Sequence, residues 1–152
     1  LHTIDSASGL TRLMDLGVDP FLLCSTVAGL LSQRLVRQLC VKCRTSEQVE
    51  AAVLVALGLT PPTKQGALRV FKATGCQACR HTGYHGRMGI FELLLVDHHV
   101  RSLIIKRVAA GQIRQSAITR GMRPLSSASW AKVHAGVTSL DELTRVLPPE
   151  LR

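Results

Sequence analysis

The chain has 152 residues, 46% of them hydrophobic but only 3% aromatic, and 19 Lys and Arg against 10 Asp and Glu give it a formal net charge of +9. So aliphatic a composition excludes intrinsic disorder, because it can bury enough apolar surface to offset chain entropy, and one globular domain is expected. A membrane span is also excluded: the longest weakly polar stretch, Phe21 to Gln33, stops at Arg34, short of the roughly 20 apolar residues a spanning helix needs.

In chain order, Leu1-His2-Thr3-Ile4-Asp5 shows no basic segment followed by an apolar run, so it does not read as a signal peptide. It also lacks an initiator Met, and the chain is expected to be a piece of something longer. Leu10, Leu13, Met14 and Leu16 recur at helical spacing after the cap-like Asp5-Ser6 and stop at Gly17. Asp19-Pro20 starts a second helix, whose wide apolar face (Phe21, Leu22, Val27, Leu30, Leu31, Leu35, Val36) predicts that it runs to about Leu39.

From Cys40 to Cys79 the character changes, and this stretch reads as an inserted subdomain. It holds a cysteine pair, an expected Ser46-capped helix through Leu57, a Pro61-Pro62 break, an expected strand from Ala67 to Ala73 and a second cysteine pair. Gly83 to Gly89 reads as a glycine-rich turn and Ile90 to Val96 as a mostly buried strand. Helices are expected from about Asp97 to Arg107, Gln112 to Arg120 and Ser127 to Ala135, and a last one begins where Ser139 and Glu142 stand at capping-box spacing.

Five cysteines, an odd number at uneven spacing, fit a reducing compartment, the cytoplasm, better than a secreted disulfide framework. Cys40-Val-Lys-Cys43 and Cys76-Gln-Ala-Cys79 are two C-x-x-C knuckles with 32 residues between them. Each knuckle places two sulfurs on one side of a tight turn, and together they can close a tetrahedral zinc site. Such a site has no open position, so the zinc would be structural. Lys42, Arg44 and Arg80 beside the knuckles would favour thiolates. Buried thiols, a pair of disulfides, or an electron-transfer cluster with the same ligands are the other readings. Cys24 has no partner at ligand spacing and reads as a core residue.

His2 could present an imidazole to a phosphate, although a lone His is as readily a bystander. The Gly83 to Gly89 stretch is no P-loop, because it precedes a strand and lacks Gly-Lys-Ser/Thr; Arg87 is its one candidate anion contact. The clustered Arg residues point to nucleic acid, an anionic membrane face or a phosphate-bearing ligand. One Trp, one Tyr and three Phe offer little for base stacking.

The residues together resemble the C-terminal part of a GspE-type secretion ATPase, the motor of bacterial type II secretion, which is similar to the assembly ATPase of type IV pili. The resemblance is carried by Leu1-His2-Thr3, the run Thr11 to Leu22, Gln33-Arg34-Leu35-Val36-Arg37 and the four cysteines. It continues through Gly83-Tyr84, Gly86-Arg87, Gly89-Ile90, Glu92-Leu93-Leu94, Gly121-Met122, Gly136 and Glu142. Two departures stand out: Ile4 where the family usually has Asn, and Ser127-Ala128-Ser129 in place of an acidic, glycine-containing stretch.

The resemblance implies an α/β fold, the helix-rich C-terminal portion of a RecA-like P-loop ATPase domain with an inserted tetracysteine zinc subdomain. Residues 1–39 would end the ATPase core and hold the histidine box, 40–79 bind zinc, and 80–152 add a core strand and a C-terminal helical region. It implies His2 as the box histidine near the nucleotide phosphates, Gln33, Arg34 and Arg87 near the nucleotide or subunit interface, and Cys40, Cys43, Cys76 and Cys79 as zinc ligands. The parent would be a homo-hexamer using ATP and Mg²⁺. It would sit in the cytoplasm, peripheral to the inner membrane, against platform proteins and the anionic membrane face, with no nucleic acid expected.

This segment lacks the Walker A and B motifs and should be inactive alone. Secretion is the expected function, with a pilus assembly motor as one alternative and a non-catalytic zinc-binding interaction or nucleic-acid module as another. Loss of the metal is expected to loosen residues 40–79 and leave the remaining helices folded.

Overall fold

The computed structural model describes residues 3–57, 59, 61 and 65–151. These form a mixed α/β structure in the order α1 (Ser6–Asp15), α2 (Pro20–Thr26), β1 (Gly29–Leu39), β2 (Thr45–Glu50), α3 (Ala51–Ala56), β3 (Ala67–Lys72), β4 (Tyr84–Leu95), α4 (His98–Ile105), α5 (Ala110–Thr119), α6 (Leu125–His134) and α7 (Leu140–Val146). Strand β1 pairs with β4, and β2 pairs with β3. The second pair is antiparallel, with Thr45 opposite Lys72 at one end and Glu50 opposite Ala67 at the other. No helix among the described residues is long and apolar enough to cross a membrane.

Packing divides the chain into two compact units: residues 1–32 with 91–124, and residues 33–90 with 125–152. Strands β1 and β4 each run through both. In the first unit, α1 starts as its sequence predicts, because the Asp5 carboxylate accepts a hydrogen bond from the Ser8 N–H at 2.7 Å and satisfies one of the free donors of the first turn. Helix α2 starts likewise, with Asp19 accepting from the N–H groups of Phe21 and Leu22 at 2.8 and 3.2 Å and Pro20 in the first turn. Asp97 caps α4 through the Val100 N–H at 2.8 Å. That bond, aided by Arg120 and against the cost of burial, holds its carboxyl below the usual range.

The core of this unit joins Ala7, Leu10 and Met14 of α1 to Leu23, Leu94, Val100, Ile104, Ile113 and Ala117. Each fully buried aliphatic side chain stabilises by about 1.5–3 kcal/mol relative to its exposed state.

The second helix does not reach Leu39. Val27 is already extended (φ −91, ψ 117), the Ala28 carbonyl accepts from the Val96 N–H at 2.9 Å, and a strand runs on from Gly29. The periodicity misleads because Val27, Leu30, Leu31 and Leu35 recur at helical spacing, yet within β1 Leu31 and Leu35 are exposed while Ser32 and Val36 are buried. A strand with apolar residues on both its faces can match a helical spacing, and pairing with β4 decides between them.

Two further expectations are corrected. Ser46 does not cap a helix: Thr45–Glu50 is a strand, because it pairs residue by residue with β3, and the helix begins only at Ala51. The stretch after Gly83 is not a turn but the start of β4, and burial along β4 alternates from Ile90 to Leu95, so that strand is not buried on both faces.

In the second unit, Val36, Leu54, Leu59, Val70 and Ile90 share one core with Leu125, Trp130, Val133, Leu143 and Leu147. The residues between the cysteine pairs therefore pack against α6 and α7. Ser139 caps α7 by accepting from the Glu142 N–H at 3.1 Å, but the other half of the capping box is not made. The Glu142 carboxylate, whose side chain is fully buried, instead accepts from the Arg37 N–H and Nε at 2.9 Å each and from Arg145 Nε and Nη2 at 3.0 and 2.7 Å. Burial works against its charge, yet the two guanidiniums bring its pKa down to about 2. The Arg37 guanidinium also lies 4.0 Å from the centre of the Tyr84 ring, and the Tyr84 hydroxyl is hydrogen-bonded to Ser139 Oγ at 2.7 Å. This clasp ties α7 to both β1 and β4.

Candidate metal centre

The first knuckle leaves the end of β1. The Cys40 carbonyl accepts from the N–H groups of Cys43 at 3.2 Å and Arg44 at 2.9 Å, which closes the turn. The second repeats the design: the Cys76 carbonyl accepts from Cys79 at 3.2 Å and His81 at 2.8 Å. The knuckles are brought together at the start of β4, where the Cys40 N–H donates to the Gly83 carbonyl at 2.9 Å.

Two glycines make that approach possible. Gly75 has φ +101, and a Cβ there would stand 2.6 Å from the His81 carbonyl oxygen; Gly83 has φ +77, and a Cβ would stand 2.5 Å from Ala73 Cβ.

The four sulfurs lie within 4.8 Å of one another. Cys40 Sγ is 4.0 Å from Cys76 Sγ, and Cys79 Sγ is 3.8 Å from both Cys43 Sγ and Cys76 Sγ. A disulfide needs about 2.05 Å, so these are free thiols. A tetrahedral ion with metal–sulfur bonds of about 2.3 Å would space its ligands by about 3.8 Å, which the geometry matches. Cys40 and Cys79 are buried and Cys43 and Cys76 half-buried, so the cluster is shielded from bulk water.

Its electrostatics are uneven. Burial pushes the Cys43 thiol up to about 11. Cys79 is buried too, but its sulfur accepts hydrogen bonds from the N–H groups of Cys76 and Gly83, both at 3.2 Å, and these bring its pKa down to about 6. Backbone dipoles thus favour the thiolate at Cys79 before any metal binds.

The structure gathers the four predicted cysteines and leaves the other predicted site residues outside the cluster. Gln33 is exposed on β1, and the half-buried Arg34 beside it donates from Nη1 to the Gln33 carbonyl at 3.0 Å. Arg87 is exposed on β4, its carbonyl accepting from Gln38 Nε2 at 3.0 Å. His2 lies outside the described residues. Cys24 packs at the edge of the first unit's core, its sulfur 3.6 Å from the Arg101 carbonyl. Sequence reasoning missed the Glu142 clasp. Its Arg145 half was visible at i,i+3, but Arg37 is 105 residues away.

The family model described as type II/IV secretion system protein matches residues 1–145. The type IV pilus assembly ATPase TfpB of Acinetobacter baylyi is 40% identical over 97% of this chain and 25% of its own length. The type IV pilus assembly ATPase PilB of Thermus thermophilus is 41% identical over 94% of the chain and 16% of its own length. The type II secretion system ATPase E of Vibrio cholerae is 39% identical over 96% and 28% respectively. The chain therefore spans only 16–28% of the length of these relatives. With nearly the whole of it matched by the family model, the chain belongs to the type II/IV secretion system protein family.

Proposed function

We propose that this chain is the C-terminal portion of a cytoplasmic hexameric ATPase that powers type II protein secretion. The observation that carries this reading is the similarity to the secretion ATPase E proteins over almost the full chain. In the proposed assembly, the P-loop lysine and the Mg²⁺ ligands come from the remainder of a longer chain. This portion adds His2 near the nucleotide phosphates and Gln33, Arg34 and Arg87 near the nucleotide or the subunit interface.

A RecA-like setting is supported by the first unit, where Leu31, Phe91, Leu93 and Leu95 are 49–61% exposed. A two-stranded ribbon with such an apolar face is marginal by itself and gains by joining a larger sheet. The basic composition suits a motor lying under an anionic inner membrane against platform proteins.

The metal is proposed to be zinc, in a closed all-sulfur site that cross-links the two knuckles and performs no chemistry. The residues around it fix the ends of β1 and β4, the strands that carry Gln33, Arg34 and Arg87.

A pilus assembly motor is the second reading, favoured by relatives of that name at 40% and 41% identity. Deleting the gene in its host separates the two. Loss of protein export with pili retained supports the secretion motor, loss of pili with export retained supports the pilus motor, and no change in either overturns both.

A further inference from the structure

The two knuckles present a surface that the family reading leaves without a role. Val41, between the first two cysteines, is 78% exposed, the highest value among the large hydrophobic side chains described. Lys42 beside it, and Gln77, Arg80 and His81 of the second knuckle, are exposed too. Because all four sulfurs lie within 4.8 Å, the two turns that carry these side chains meet at one place. From residue 51 to residue 91 the chain contains no Asp or Glu. Among the described residues, no carboxylate pairs with Lys42 or Arg80.

The neighbouring arginines are already committed: Arg44 donates to the Gly136 carbonyl and lies over the Phe71 ring, and Arg69 also lies over Phe71. Arg80 and His81 occupy the left-handed region, with φ 52 and 61. That conformation costs about 1–2 kcal/mol for each non-glycine residue, and it is held by the bond from the His81 N–H to Cys76 and by the turn at Gly75.

We propose that this knuckle tip is a docking surface for an acidic polypeptide segment of another protein, one that brings carboxylates to Lys42 and Arg80 and an aliphatic side chain to Val41. Arg80 offers a planar fork that matches a carboxylate, and a backbone already fixed by the cross-link loses little entropy on binding. A membrane surface fits less well, since the tip has two permanent cations and one apolar side chain where lipid-binding clusters use about 4–8 Lys or Arg. Nucleic acid fits less well still, because the aromatic rings of this unit are engaged elsewhere: Phe71 by Arg44 and Arg69, Tyr84 by Arg37, and Trp130 in the core.

The proposal rests on the metal reading, and its test separates the two. Zinc-loaded protein is titrated against a fluorescent peptide of alternating Glu and Leu, with the Gln-Leu peptide, anionic phospholipid vesicles and duplex DNA as competing probes. Lys42→Gln/Arg80→Asn keeps a side chain that tolerates the left-handed backbone. It is expected to weaken Glu-Leu binding about tenfold, and Val41→Ser to weaken it less, both with zinc content unchanged.

Removal of two exposed cations in the other unit, Arg101→Ala/Lys106→Ala, should change binding little. Equal loss in that control, no loss in the tip variant, equal binding of the Gln-Leu peptide, or tighter tip-dependent binding to vesicles or DNA would each overturn the proposal. A protein that never takes up zinc would instead overturn the metal reading.

Discussion

The two units have apolar cores of similar make-up, yet they are held together differently. The first is a set of helices on aliphatic contacts: Leu10, Ile104 and Ile113 are fully buried, and the starts of α1, α2 and α4 are stitched by a residue two to three positions away, at Asp5, Asp19 and Asp97. The second is built largely from short strands and long-range ties, the four-cysteine cluster and the Glu142 clasp among them. Helices satisfy their own backbone, whereas short two-stranded sheets do not bury enough to stand alone, so they need such staples.

The sharpest way to break this contrast is to remove the metal. Because Leu54, Leu59 and Val70 share a core with Leu125, Trp130, Val133 and Leu143, chelation or Cys79→Ser should release α6 and α7 as well as residues 40–79. That differs from the expectation drawn from the sequence, in which the other helices stay folded. Structural zinc contributes on the order of 10 kcal/mol or more, enough to unfold the unit. Trp130 is the only Trp and is 92% buried, being 8% exposed, so its emission should shift to the red while amide exchange in α1 and α5 stays slow. Unshifted emission after complete loss of metal would show that the second unit needs no staple.

The converse substitution is Leu10→Ala. It deletes a fully buried side chain of the first unit and should cost that unit about 3 kcal/mol. Amide exchange in α1 and α5 should quicken while zinc content and Trp130 emission hold. A loss of zinc here would mean that the two cores do not fail separately.

The smallest of the three effects concerns the clasp. The Glu142 value of about 2 in the fold lies below the ordinary 4.5. Its contribution is therefore present in full above about pH 4.5 and is lost as pH falls through about 2. The shift corresponds to roughly 3 kcal/mol at most, and part of the loss is recovered because Arg37 and Arg145 can turn to water. Glu142→Gln should lower the unfolding free energy read at Trp130 by about 2 kcal/mol at neutral pH, and the variant should lack the wild type's extra loss between pH 4.5 and 2. Equal acid sensitivity in both proteins would assign that loss to another group, the cysteine ligands first.

What the amino-acid sequence determined by itself was local. The caps at Asp5, Asp19, Asp97 and Ser139, the stop at Gly17 and the two knuckles each depend on hydrogen bonds spanning two to five residues, so their signatures lie within one short window. The metal ligands were legible for the same reason: each C-x-x-C turn is made by its own backbone, and Gly75 and Gly83 mark where the chain had to pass closely. Only the tertiary structure decided that 29–39 is a strand, that Thr45–Glu50 pairs with β3, that Glu142 turns from its own helix cap to Arg37, and that the segment between the cysteines shares its core with the last two helices. In those cases the deciding partner lies 17 to 105 residues away, and a pattern such as Val27, Leu30, Leu31 and Leu35 reads as a helix until the partner strand is in place.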